Sequence, residues 1–72
     1  MFKVIGKPDD VDLYSSGAGN NQYDDCVQWL KRYVKGGNWG GYTSFDIVDE
    51  DSNVHISLIQ DGNRAIWRMT SD

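Results

Sequence analysis

Asp61, Gly62 and Asn63 separate two alternating runs, Val54-His55-Ile56-Ser57-Leu58-Ile59-Gln60 and Arg64-Ala65-Ile66-Trp67-Arg68-Met69, and no other segment restricts the fold as tightly. Asp-Gly between strand-like runs signals a two-residue hairpin, because a type I′ turn needs positive φ at both central residues. With Asp61-Gly62 as the loop, Leu58 faces Ala65, Ile56 faces Trp67 and Val54 faces Met69 on a wholly apolar side. His55, Ser57 and Ile59 then share the other side with Arg64, Ile66 and Arg68. Upstream, a four-residue loop Glu50-Asp51-Ser52-Asn53 pairs Ile47 with Ile56 and Phe45 with Leu58, whereas a five-residue loop sets Asp46 against Ile56. Burial selects the shorter loop. The expectation is a three-strand antiparallel meander, Tyr42 to Asp49, Val54 to Gln60 and Asn63 to Met69.

A sheet with one apolar face needs a cover. Gln22 to Lys35 supplies it: Tyr23, Cys26, Val27, Leu30, Tyr33 and Val34 recur at helical spacing, with Trp29 on the shoulder. Asn20 or Asn21 is placed to cap the start, Asp24 and Asp25 suit the first turn, and Lys31, Arg32 and Lys35 the last. Gly36 supplies the stop. Phe2-Lys3-Val4-Ile5 reads as a short strand ended by Gly6 and Pro8, expected to join the sheet at an edge. Pro8 to Asn21 reads as a long loop with a short extended piece around Val11 to Tyr14. The predicted architecture is therefore α+β, a single domain over residues 1–72: a β-α-β-β-β order with a three-strand meander, an N-terminal edge strand and one helix on one face.

Size limits function in a chain of 72 residues, which buries only about 60% of the surface its unfolded form exposes. Little apolar material is left for a deep pocket. The chain has one cysteine, Cys26, so it forms no internal disulfide, and it has no apolar run of about 18 residues and no secretory leader pattern. A complete small cytoplasmic protein without a membrane partner is the expectation. The net charge of −4 disfavours phosphate backbones as the main ligand. Ten of the eleven acidic residues are Asp, the bias of turns and loop rims, and a partner with a basic surface suits them better.

Each catalytic or ligand-binding pattern is incomplete. Asp49-Glu50-Asp51-Ser52-Asn53 begins like a calcium loop, but Val54 stands where the turn glycine belongs and Gln60 where the bidentate Glu belongs. Ser15-Ser16-Gly17-Ala18-Gly19-Asn20 lacks the Gly-Lys-Ser/Thr of a phosphate loop, and Asp24 and Asp25 already occupy the helix start. Cys26 and His55 are the types a nucleophilic pair needs, yet the assigned register puts the sheet between them. One His and one Cys do not make a four-ligand zinc site. No catalytic residue, cofactor or metal is expected. Trp39, Tyr42, Trp29 and Tyr14 are base-stacking types, but the charge balance makes core duty the better reading and argues against direct nucleic-acid binding.

Two surfaces remain. On the outer face Val48, Ile59 and Ile66 stand beside His55, Arg64 and Arg68, a mixed apolar and basic set typical of interfaces. The other joins the acidic loop Asp49, Glu50 and Asp51 to Trp39, which sits between paired glycines, and its neighbour Tyr42. Met1 to Asp72, with Asp9-Asp10, Asp24-Asp25 and Asp49-Glu50-Asp51 and no catalytic constellation, resembles the small acidic inhibitor proteins that phages and mobile elements encode, anti-CRISPR proteins among them. That class shares no fold or signature, so the resemblance implies a mode of action in the host cytoplasm and assigns no residues. The expected function is a non-catalytic inhibitor or modulator that blocks a larger, nucleic-acid-handling protein through acidic loops and an aromatic anchor. The alternative is an accessory or assembly module that homodimerises or docks through its outer sheet face.

Overall fold

Period-two alternation puts Val4, Phe45, Ile47, Ile56 and Leu58 on one face of an antiparallel sheet, and all are buried there. A computed structural model describes residues 1–17, 19, 21–62 and 64–69. Its strands are β1 (Lys3–Lys7), β2 (Val11–Ser15), β3 (Ser44–Val48), β4 (Val54–Asp61) and β5 (Arg64–Met69), with helix α1 (Gln22–Tyr33) between β2 and β3. They form a five-stranded sheet in the order β2-β1-β3-β4-β5, each neighbouring pair antiparallel. The α+β architecture with one helix on one face is thus the one the sequence predicts, with one strand more.

That extra strand changes the place of the first. β1 lies between β2 and β3, and the edge expected for it belongs to β2, the extended piece within the Pro8 to Asn21 stretch. Val4 and Gly6 are buried in this inner strand. Gly6 is required by close approach, because a Cβ there would lie 2.7 Å from Cδ1 of Tyr42. Ser16, a buried polar residue, locks the strand ends: its Oγ accepts from the Phe2 N–H and donates to the Phe2 carbonyl, both at 3.0 Å.

The helix buries Cys26 and Leu30 completely and packs Tyr23, Val27, Trp29 and Tyr33 around them, the stripe expected from spacing. Asn21 is the N-cap by position but makes no side-chain cap hydrogen bond, and Asp24 and Asp25 face the positive helix end. Asn20, Ala18 and Asn63 lie outside the described residues. The helix ends at Tyr33, earlier than Lys35, and a single 3-10 turn over Lys35–Gly37 follows, with Gly36 at φ 82 as the stop.

Two registers decide what is exposed. The β3–β4 pairing matches Ile47 to Ile56 and Phe45 to Leu58, as the four-residue loop predicts. In the β4–β5 hairpin the pairs are Asp61–Arg64, Leu58–Trp67 and Ile56–Met69, two residues away from the register expected with Asp61-Gly62 as the loop. The turn starts at Gly62, φ 60, which leaves Asp61 opposite an arginine and gives Leu58 an indole rather than a methyl to pack on. A shift of two preserves the faces, so Ile59 and Ile66 still share one side and Leu58 and Trp67 the other.

Candidate protein-binding surface

One helix does not cover five strands. An α-helix is about 10 Å across with its side chains, and strands lie about 4.8 Å apart, so a single helix shields two or three of them. Here α1 packs chiefly against β1, β2 and β3. On the helix side the β4–β5 limb therefore keeps exposed apolar surface at Met69, 71% exposed, while Ile66, 42% exposed, lies on the opposite face of β5, away from α1. The outer free side of β5 pairs with no described strand.

On the outer face Ile59 faces Ile66, Ser57 faces Arg68 and Asp61 faces Arg64. Ile59 is half-buried, and Arg64 and Arg68 are exposed. The Ser57 hydroxyl donates to Asp46 at 2.7 Å, and Asp46 also meets Lys7 at 3.7 Å. Lys3 pairs with Asp12, and Lys7 with Asp10 as well. The cations of β1 are thus matched to carboxylates, whereas among the described residues Arg64 and Arg68 enter no ion pair. Val48, expected in the exposed outer set, is only 7% exposed and leaves that set.

His55 also leaves it. The β3–β4 register slips after Ile47, so that Val48 pairs with Val54 and His55 becomes the extra residue of a bulge. A bulge re-aims a side chain, and this one turns the imidazole to the helix side, 4.9 Å from the Phe2 ring and 6.3 Å from that of Tyr23. The expectation that the sheet separates His55 from the helix is corrected by that single inserted residue.

There His55 meets Asp49 in an open groove lined also by Phe2, Tyr23, Asn53, Val54 and Met69. Asp49 Oδ2 lies 2.9 Å from His55 Nε2, and Oδ1 accepts the backbone N–H groups of Asp51 and Asn53 at 2.9 Å each. The His55 hydrogen bond, then the Asn53 N–H, hold the Asp49 carboxyl down at about 2. An ionised carboxylate only accepts, so His55 Nε2 carries the shared hydrogen. This is the base-and-orienter half of a catalytic triad, but among the described residues the groove lining includes no Ser, Thr, Cys or Lys to serve as nucleophile. Cys26 is fully buried, and burial pushes its thiol up, away from thiolate chemistry. Among the described residues no group of three or more His, Cys, Asp or Glu side chains could hold a metal ion.

The aromatic anchor is corrected as well. Trp39 is 8% exposed, its ring 5.2 Å from that of Phe45, so the glycine-flanked segment folds the indole into the core past the helix end. Tyr42 is half-buried over Gly6, 5.6 Å from Phe45. With Asp49 turned inward, the acidic loop presents Glu50 and Asp51, both exposed. Of the predicted residues the structure gathers Ile59, Arg64, Ile66 and Arg68 on one surface, Asp49 and His55 in another place, and buries Trp39 and Val48. Met69 and the Phe2–Tyr23 pair were not anticipated as surface features. The signal for Met69 was available, since it ends the last strand, far along the sequence from the helix.

Comparison with family models, with curated proteins and with solved structures finds no match. No helix among the described residues is long and apolar enough to cross a membrane.

Proposed function

We propose that this chain is a non-catalytic protein-binding module that docks through its β4–β5 limb, with Ile66, Arg64 and Arg68 at the centre of the contact. The supporting observation is the helix-free limb, where an edge strand carries an exposed isoleucine between two arginines that have no carboxylate within ion-pair distance among the described residues. Apolar side chains rimmed by arginine are favoured at interfaces, and an open edge offers backbone hydrogen bonds. A lone thiol kept inside the core suits a reducing, cytoplasmic setting.

This is the docking mode expected of an accessory or assembly module, and it also serves an inhibitor. It does not rest on the acidic loop, whose Asp49 carboxylate is occupied by His55 and Asn53, nor on Trp39, whose indole is in the core. The test is capture from a lysate of the source organism by tagged wild type, Ile66→Asp and Glu50→Lys/Asp51→Lys. A stoichiometric partner released by Ile66→Asp and kept by the loop variant supports the limb. The reverse pattern returns the contact to the acidic loop.

A further inference from the structure

We infer that β5 receives an extended acidic segment of a partner protein as a sixth strand, with carboxylates set opposite Arg64 and Arg68 and an apolar residue opposite Ile66. This rests on the protein-binding reading above and names its partner chemistry.

The free edge fixes the form of the ligand. β5 runs over Arg64–Met69 and pairs with β4 without a register break, so its outer edge is a regular template. The other edge, β2, is less suited: its pairing with β1 shifts between Val4 and Ile5, and Tyr14 is held down on the helix by stacking on Trp29 at 5.1 Å and bonding to Asp25 at 2.5 Å. Strand addition draws affinity from main-chain hydrogen bonds and specificity from alternate side chains. On the outer face those alternate positions are Arg64, Ile66 and Arg68, which ask for acidic, apolar and acidic residues at spacing two. On the helix side the added strand lies beside half-buried Trp67 and exposed Met69, which suits apolar residues between the acids.

Charge also excludes the simplest competing occupant. A second copy paired antiparallel about Ile66 places Arg64 of one chain opposite Arg68 of the other, twice over, and like charges directly opposite are destabilising. The arginines therefore guard the edge against self-association while leaving it open to an acidic strand. Local charge, opposite in sign to the net −4, selects the segment.

The probe is the blocked peptide Thr-Glu-Ile-Val-Ile-Glu-Thr, titrated into the full chain while the backbone amide signals of β5 are followed by NMR. The control carries Lys for both Glu. The expected result is perturbation centred on β5 and binding about three- to tenfold tighter for the acidic peptide, a difference that shrinks as salt rises. The double variant Arg64→Glu/Arg68→Glu, which leaves the apolar residues intact, is expected to reverse the preference. Equal affinities for the two peptides, perturbation confined to the His55 groove, preferential binding of a single-stranded oligonucleotide, or a dimer that Ile66→Asp dissolves each overturns the inference. If neither peptide binds while Ile66→Asp still releases a captured partner, the acidic-strand inference fails and the protein-binding reading stands. Capture unaffected by Ile66→Asp removes the reading itself.

Discussion

The limb under the helix and the limb beyond it are built from the same alternation and end in opposite conditions. In β2–β1–β3 the inward residues meet α1: Val4, Phe45 and Ile47 lie against the fully buried Cys26 and Leu30, and Tyr14, Trp29 and Tyr33 stack along the helix flank. In β4–β5 the inward row runs from buried Ile56 and Leu58 to half-buried Trp67 and exposed Met69. The difference comes from the width of one helix against the width of five strands. Trp39 extends the cover where α1 stops, by laying its ring on Phe45. Complete burial is thus concentrated under the helix and exposed apolar surface in the limb beyond it, within a single continuous sheet.

The sharpest way to break that comparison is Phe45→Ala. Loss of a fully buried phenylalanine is expected to cost about 3–5 kcal/mol, against a total near ~5 kcal/mol for a small domain, so urea denaturation followed by circular dichroism should find the variant largely unfolded. Trp39→Ala is expected to cost about 3 kcal/mol in the same assay; an unchanged midpoint would return Trp39 to the surface and the anchor reading with it. Gly6→Ala probes the packing of β1 itself, where the new methyl must displace the Tyr42 ring, and a loss of about 1–3 kcal/mol is expected.

Asp49 sharpens the comparison at the boundary of the two limbs. Its folded-state value of about 2 lies below the ordinary 3.8, because His55 and the Asn53 N–H favour the ionised form. A depressed carboxyl contributes stability that is fully present above its unfolded value and is lost as pH falls through the folded one, so the loss runs from about pH 4 down to about pH 2. Thermal melts across that window should show a shallower acid loss for Asp49→Asn than for the wild type. The smallest effect belongs to the open limb, where Met69→Ala should change stability by no more than about 0.5 kcal/mol. A cost for Met69→Ala comparable to that for Phe45→Ala would show that the limb is covered in solution, and sedimentation would then reveal the covering copy.

Much of the helix-covered limb is legible in the sequence because local rules decide it. The stripe through Cys26 and Leu30 follows from a 3.6-residue period, and the pairing of Ile47 with Ile56 follows from the requirement that one face be apolar. The site was less legible. A bulge moves His55 across the sheet, and an inserted residue at a strand end leaves almost no trace in an alternating pattern, since Val54, His55 and Ile56 read equally well in either arrangement. The observed hairpin register lies two residues from the expected one because Asp61-Gly62 and Gly62-Asn63 are both acceptable turn pairs, and face parity is the same for each.

What the sequence determined by itself was the helix, four of the five strands and, His55 apart, which of the sheet's side chains share a face, since these depend on periodicity and turn chemistry within a few residues of each position. What only the tertiary structure decided was adjacency: that β1 is an inner strand, that Trp39 belongs to the core, that His55 meets Asp49, and that β5 is left uncovered. Those outcomes depend on how widely one helix spreads over five strands and where each chain segment returns, and such long-range burial is a property of the assembled sheet rather than of any short stretch of residues.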